Sequence, residues 1–171
     1  MLSSDQIVDL LTRLDSELAR EGVNGELFLV GGAVMMLALA ARPSTYDVDG
    51  LFAPADVVRR LARLVAIDAG VDESWLNDAV KGFLSPRGEF APWRDFGHLR
   101  VFVAAPEYLL AMKCMAFRLG PEFKDEADVR FLLRHLGITR VADALAVVER
   151  YFPPARIPLR TRYGLEEMLG E

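Results

Sequence analysis

The chain carries one cysteine, Cys114, and two histidines among its 171 residues. A lone thiol excludes a disulfide framework and any zinc site built on cysteines, and it fits a reducing compartment. His98 and His135 have no cysteine or second histidine nearby in sequence, so neither points to a metal centre. Positive charge is in short supply too. Twenty Lys and Arg against 25 Asp and Glu leave a net charge of −5, which argues mildly against a protein that coats nucleic acid. The longest uncharged apolar run, Leu27 to Ala41, holds two glycines and is too short to span a bilayer. Ser3, Ser4, Asp5 and Asp9 stand where a secretory leader needs basic and then apolar residues, so the expectation is a cytoplasmic protein with no membrane partner. Repeats and low-complexity segments are also missing.

What is present describes a globular chain: 52% hydrophobic and 26% charged residues, and enough length to bury a core. Ser3 or Ser4 can cap a first helix whose Ile7, Leu10, Leu11, Leu14 and Leu18 share one face, and Gly22 with Asn24-Gly25 ends it. Pro54 and Asp56 open another helix through Val57, Leu61, Leu64 and Val65. Between Gly70 and Pro86 the pattern is ambiguous, with a short helix over 74–83, and Gly82 to Pro92 reads as a loop. Leu99 to Ala104 (LRVFVA) reads as a strand. Helices then follow from Pro106 towards Gly120, from Asp125 to Leu136 and from Thr139 to Tyr151, before the prolines of 153–158 and a short tail. This order predicts an α/β (α+β) fold: a small mixed sheet with packed helices over residues 1–104, and a C-terminal helical part over 105–171 packed on it as a single compact unit.

The most informative stretch is Phe28 to Phe52, FLVGGAVMMLALAARPSTYDVDGLF. Leu27 to Val30 is short, apolar and stopped by Gly31-Gly32, as a buried strand would be. Ala33 to Ala41 is rich in helix formers and Pro43 ends it. In an extended segment from Tyr46 to Phe52, Asp47 and Asp49 fall on one face and Val48 on the other. Two neighbouring carboxylates repel, and a divalent cation between them removes that cost. Mg²⁺ favours one or two carboxylates completed by substrate phosphates. A glycine pair at a strand-to-helix turn lets a phosphate approach the backbone.

Gly31-Gly32, a helix, and then Asp47-x-Asp49 resemble the signature of the nucleotidyltransferase superfamily, whose members include DNA polymerase beta and the tRNA CCA-adding enzymes. With Arg42 and Thr45 just ahead of Asp47, the wording is similar to that of the small toxins of bacterial toxin–antitoxin and abortive-infection systems. A second block, Pro106-x-x-Leu109-Leu110-x-x-Lys113, then Arg118, then Lys124-Asp125-x-x-Asp128, resembles the second conserved block of the same branch. The resemblance implies the polymerase-beta-like fold, Mg²⁺ at Asp47 and Asp49, a nucleoside triphosphate cradled at Gly31 and Gly32 and contacted by Lys113, and a catalytic site completed by Asp128. It further implies nucleotide transfer to the 3′ end of tRNA and a cognate antitoxin protein as partner. Read without the resemblance, Lys113 is a lysine snorkelling from the edge of an apolar helix.

The residues leave other points open. Many active members of the superfamily have a third carboxylate on a later strand, yet Leu99 to Ala104 contains no acid, with Asp95 just before it and Glu107 just beyond. The general base is therefore unassigned, and a non-catalytic nucleotide-binding protein stays an alternative. So does a regulator that adenylylates a partner protein. Seven arginines between Arg130 and Arg162, against Asp143 and Glu149, could form a platform for RNA or dock an acidic partner. Trp75 and Trp93 either anchor their region or line a nucleotide pocket. Ser44, Thr45 and Tyr46 are either acceptors for self-modification or turn residues. Met35, Met36, Met112 and Met115 read as core.

Overall fold

The computed structural model describes residues 1–118 and 125–171, and these divide into two units: 1–82 with 90–104, and 83–89 with 105–171. Phe83–Glu89 is grouped with 105–171, so neither unit is a continuous stretch of the chain. Among the described residues the architecture is mixed, with seven α-helices and a five-stranded sheet.

The first unit runs α1 (Ser4–Glu21), β1 (Gly25–Val30), α2 (Gly31–Leu37), β2 (Val48–Ala53), α3 (Ala55–Ala69), β3 (Leu76–Asn77), β4 (Phe90–Asp95) and β5 (Leu99–Ala104). Ser3 is the cap of α1, in a box where its Oγ accepts from Gln6 N and Gln6 reaches back to Ser3 N. The strand order is β3-β2-β1-β5-β4. β1 is antiparallel to β2 and parallel to β5, while the outer strands pair parallel (β3 on β2) and antiparallel (β4 on β5). Period-two alternation buries Leu27, Leu29, Val48, Phe52, Leu99, Val101 and Val103 on one face. α1 and α3 cover that face; a side chain at Gly25 would meet Leu18 Cδ1 at 3.0 Å. Asp15, on α1, accepts from the backbone N–H of His98 (2.7 Å) and Leu99 (2.9 Å), which fixes where β5 begins. The opposite face carries Phe28, stacked on Phe102 at 4.9 Å and edge-on to Phe90 at 5.4 Å.

The second unit holds α4 (Pro106–Met115), α5 (Asp125–His135), α6 (Val141–Tyr151) and α7 (Leu159–Leu169). α4 packs on both α5 and α6, and α6 on α7. Tyr108 is fully buried, with its ring against Gly88 and its hydroxyl accepting from Ser85 N at 2.9 Å, which ties 83–89 to this unit.

Several expectations need correction. α2 stops at Leu37, short of Ala41, and α4 stops at Met115; Gly120, its expected limit, lies outside the described residues. The segment 74–83 contains β3 and a short 3-10 turn rather than an α-helix. The expected loop up to Pro92 ends in β4, an edge strand that tolerates Pro92 because only one side of it is paired. The tail forms α7. Among the described residues no helix is long and apolar enough to cross a membrane.

Candidate functional site

The candidate site begins where β1 ends. Val30, its last residue, lies opposite Asp49 in the antiparallel β1–β2 ladder. The next residue, Gly31, has φ 67°, a conformation that side chains rarely adopt, and a Cβ there would stand 3.3 Å from Asp49 Oδ2. Gly31 therefore turns the chain into α2 without placing a side chain against the Asp49 carboxylate. Gly32 works differently. A Cβ at this position would lie 2.8 Å from both Arg42 Nη1 and Thr45 Oγ1, so those two side chains close directly over its Cα. They reach it because Ala40, at φ 51°, reverses the chain after α2. Thr45 is buried, exchanges two backbone hydrogen bonds with Leu2 (2.7 and 3.0 Å), and donates its hydroxyl to Asp47 O at 3.2 Å. Arg42 and Thr45, read from sequence as flanking residues, are thus the frame of the turn.

Asp47 stands one residue before β2, and its Oδ2 accepts from Asn77 Nδ2 at 3.1 Å. Asn77 is the β3 partner of Asp49. Side chains of cross-strand partners share a face, so Asn77 reaching Asp47 puts the Asp47 carboxylate on the Asp49 side of the strand. Asn77 is held in turn: its Oδ1 accepts from Ala79 N at 3.2 Å. Beside it, Asp78 sits below the ordinary carboxylate range because Lys81 and then Arg59 hydrogen-bond its charged form. Sequence reasoning missed Asn77 altogether. A polar residue in a two-residue strand, 30 positions from its partner, gives no periodic signal.

The donors gathered here are oxygens: two half-buried carboxylates and the amide that orients one of them. Among the described residues no group of three or more His, Cys, Asp or Glu comes together. Two carboxylates beside an open glycine turn suit Mg²⁺, which takes few protein ligands and completes its shell with phosphates and water. The residues present therefore fit that ion. Asp95 does not supply a third carboxylate. It pairs with Arg100 on β5, which pairs with Glu26 on β1, four ladder positions from Val30. Four positions amount to roughly 13 Å along the strand. β5 itself contributes no acid.

Lys113, Asp128 and Asp125 belong to the second unit and form a cluster of their own. Lys113 Nζ is 2.7 Å from Asp128 Oδ2 and 3.6 Å from Asp125 Oδ1, and Arg118 Nε is 2.9 Å from Asp125 Oδ2. The lysine side chain is 15% exposed and the aspartates about as buried as the core, at 5% and 6%. Lys113 is therefore paired rather than snorkelling. The structure joins it to Asp128 as well as to Asp125, which the sequence pattern contained without assigning it a role. Lys124, of the same pattern, lies outside the described residues.

Other residues resolve simply. Trp75 is buried and donates its Nε1–H to Ala62 O at 3.0 Å, so it anchors the α3–β3 connection. His135 stacks on Phe131 on the exposed side of α5. Of the seven arginines, Arg130 pairs with Glu126, Arg150 with Glu89, and Arg160 donates to Phe117 O. Arg134, Arg140, Arg156 and Arg162 are exposed. Compared with known proteins, the chain matches no family model, no curated protein and no solved structure.

Proposed function

We propose that this protein is a Mg²⁺-dependent nucleotidyltransferase of the polymerase-beta-like superfamily, moving a nucleotide from a nucleoside triphosphate to an acceptor hydroxyl with release of pyrophosphate. The observation that carries the proposal is the approach of Gly31 to Asp49: a glycine turn opens directly onto one of two adjacent carboxylates. The resemblance of the two sequence blocks supports the same reading.

Asp47 and Asp49 would hold the ion, which when bound neutralises phosphate charge and orients the α-phosphorus. The chain's own contribution is position. Asn77 fixes the Asp47 carboxylate, Gly31 puts no side chain of its own against Asp49, and Arg42 and Thr45 close over Gly32. Such preorganisation supplies most of the catalysis in phosphoryl chemistry, because the reacting groups need alignment more than covalent help. Lys113 enters through the resemblance alone. Asp128 and Asp125 already match its charge, so a phosphate contact would come in exchange for one of those pairs.

The resemblance also supports the 3′ end of tRNA as acceptor, and a role as a growth-inhibiting toxin held inactive by a cognate antitoxin protein. The exposed Arg134, Arg140, Arg156 and Arg162 are in keeping with an RNA acceptor. The test is pyrophosphate release from each nucleoside triphosphate in turn, with Mg²⁺ and total tRNA. Release that depends on tRNA and is lost in Asp47→Asn supports the proposal. Release dependent on an added protein moves the acceptor to protein, and binding without release marks a non-catalytic relative.

A further inference from the structure

Tyr46 is the most exposed large apolar side chain of the described residues, at 77%, and it directly precedes Asp47. The backbone that carries it is fixed on both sides. Thr45 exchanges two hydrogen bonds with Leu2 and ties its hydroxyl to Asp47 O, and Val48 N donates to Trp75 O at 2.6 Å. The three hydroxyls that precede the aspartates are therefore not equivalent. Thr45 is buried and bonded, Ser44 is half-buried with its hydroxyl on Met1 Sδ, and Tyr46 alone presents its side chain to solvent.

An open aromatic ring on a rigid backbone loses little entropy when a flat partner stacks on it, since only two χ angles need ordering. Base–aromatic stacking of this kind is tolerant of sequence, because every base has a π face. The half-buried Gly31–Asp49 turn suits the phosphates of a small nucleotide, whereas Tyr46, one residue before Asp47, is exposed enough to meet a macromolecule. We infer that Tyr46 is a stacking platform for the terminal base of an RNA acceptor, positioning its 3′ hydroxyl for the transfer proposed above, on which this inference rests.

The experiment compares wild type, Tyr46→Phe and Tyr46→Ala, using an oligoribonucleotide with 2-aminopurine at its 3′ end. Stacking quenches the fluorescence of that base, so the contact is read without turnover. Quenching is expected with wild type and Tyr46→Phe and is expected to be lost with Tyr46→Ala. In the transfer assay Tyr46→Ala should raise KM for the RNA about fivefold or more, fivefold being the lower end of one stacking contact, while kcat and KM for the nucleotide stay within about twofold. Thermal melting of all three should coincide. Unchanged quenching in Tyr46→Ala overturns the inference. So does equal loss in Tyr46→Phe, which would assign the effect to the hydroxyl, as self-modification requires. A rise confined to KM for the nucleotide would place the ring against the triphosphate's base instead and also overturn it. A wild type that transfers normally beside an unaffected Tyr46→Ala sinks only this inference, whereas a wild type that transfers no label to RNA sinks the RNA-acceptor reading beneath it.

Discussion

Asn77 donates to Asp47 from the position across the ladder from Asp49, 3.1 Å from the carboxylate oxygen. One residue thus bonds the carboxylate of Asp47 and pairs in the ladder with the residue that carries the other. Asn77→Ala removes that link without removing a ligand. It should lower kcat/KM for transfer about tenfold, while stability, followed by thermal melting, falls by about 1–3 kcal/mol, since the bond from Ala79 N is lost with the one to the Asp47 carboxylate. Unchanged kcat/KM would mean that Asp47 needs no orientation.

Gly31→Ala tests the turn. The native φ of 67° strains any side chain, and the new Cβ would crowd Asp49 Oδ2. The expected cost is about 1–2 kcal/mol in denaturant unfolding, from the left-handed conformation alone. Transfer should fall by more than this loss of stability explains, because the added methyl sits on the carboxylate. If stability drops but kcat/KM holds, the glycine serves the turn and not the site.

How far the sequence shows these features depends on how local their causes are. β5 (LRVFVA) has the predicted bounds because a run of alternating β-branched and aromatic residues needs no distant partner to be recognised. β3 and β4 were illegible for the opposite reason. Two residues carry no periodicity, and β4 holds a proline with both faces largely exposed. α7 was hidden behind Pro158, its N-cap, and begins with the polar, arginine-rich run Leu159 to Tyr163. At the site, Gly31, Gly32, Asp47 and Asp49 could be named from spacing, while Asn77 could not, because its contact is made only once β3 pairs with β2. Asp125 lay in plain view beside Asp128. Its place around Lys113 needed the packing of α4 on α5.

Lys113 makes a sharp stability prediction. Lys113→Met leaves Asp125 and Asp128 buried and without their shared cation, a change that typically costs about 3–5 kcal/mol. Adding Asp125→Asn and Asp128→Asn to Lys113→Met should restore much of it, since the buried negative charge that Lys113 balanced is then gone and Arg118, the other cation on Asp125, is exposed to water. Chemical denaturation of the single and triple variants reads both. Equal stability of Lys113→Met and wild type would show that the cluster holds no net structural charge balance.

Burial pushes the Cys114 thiol up to about 12. The folded protein should therefore leave a thiol reagent unreacted at pH 8 and react stoichiometrically once unfolded. The same shift carries a sign for stability. Between pH 9 and 12 the unfolded chain gives up this proton before the native state does, so stability falls as pH rises through that window. Cys114→Ala should flatten that part of the curve. Rapid labelling of the native thiol at pH 8 would contradict the buried placement.

The central claim is that Asp47 and Asp49 serve transfer at the α-phosphorus, and the most direct measurement is where a label goes. Wild type and Asp49→Asn are incubated with Mg²⁺, total tRNA and one nucleoside triphosphate labelled at either the α or the γ position. The account predicts α-label in the RNA and γ-label in released pyrophosphate with wild type, and neither with Asp49→Asn. Transfer of γ-label to the acceptor, or α-label transfer undiminished in Asp49→Asn, would contradict it.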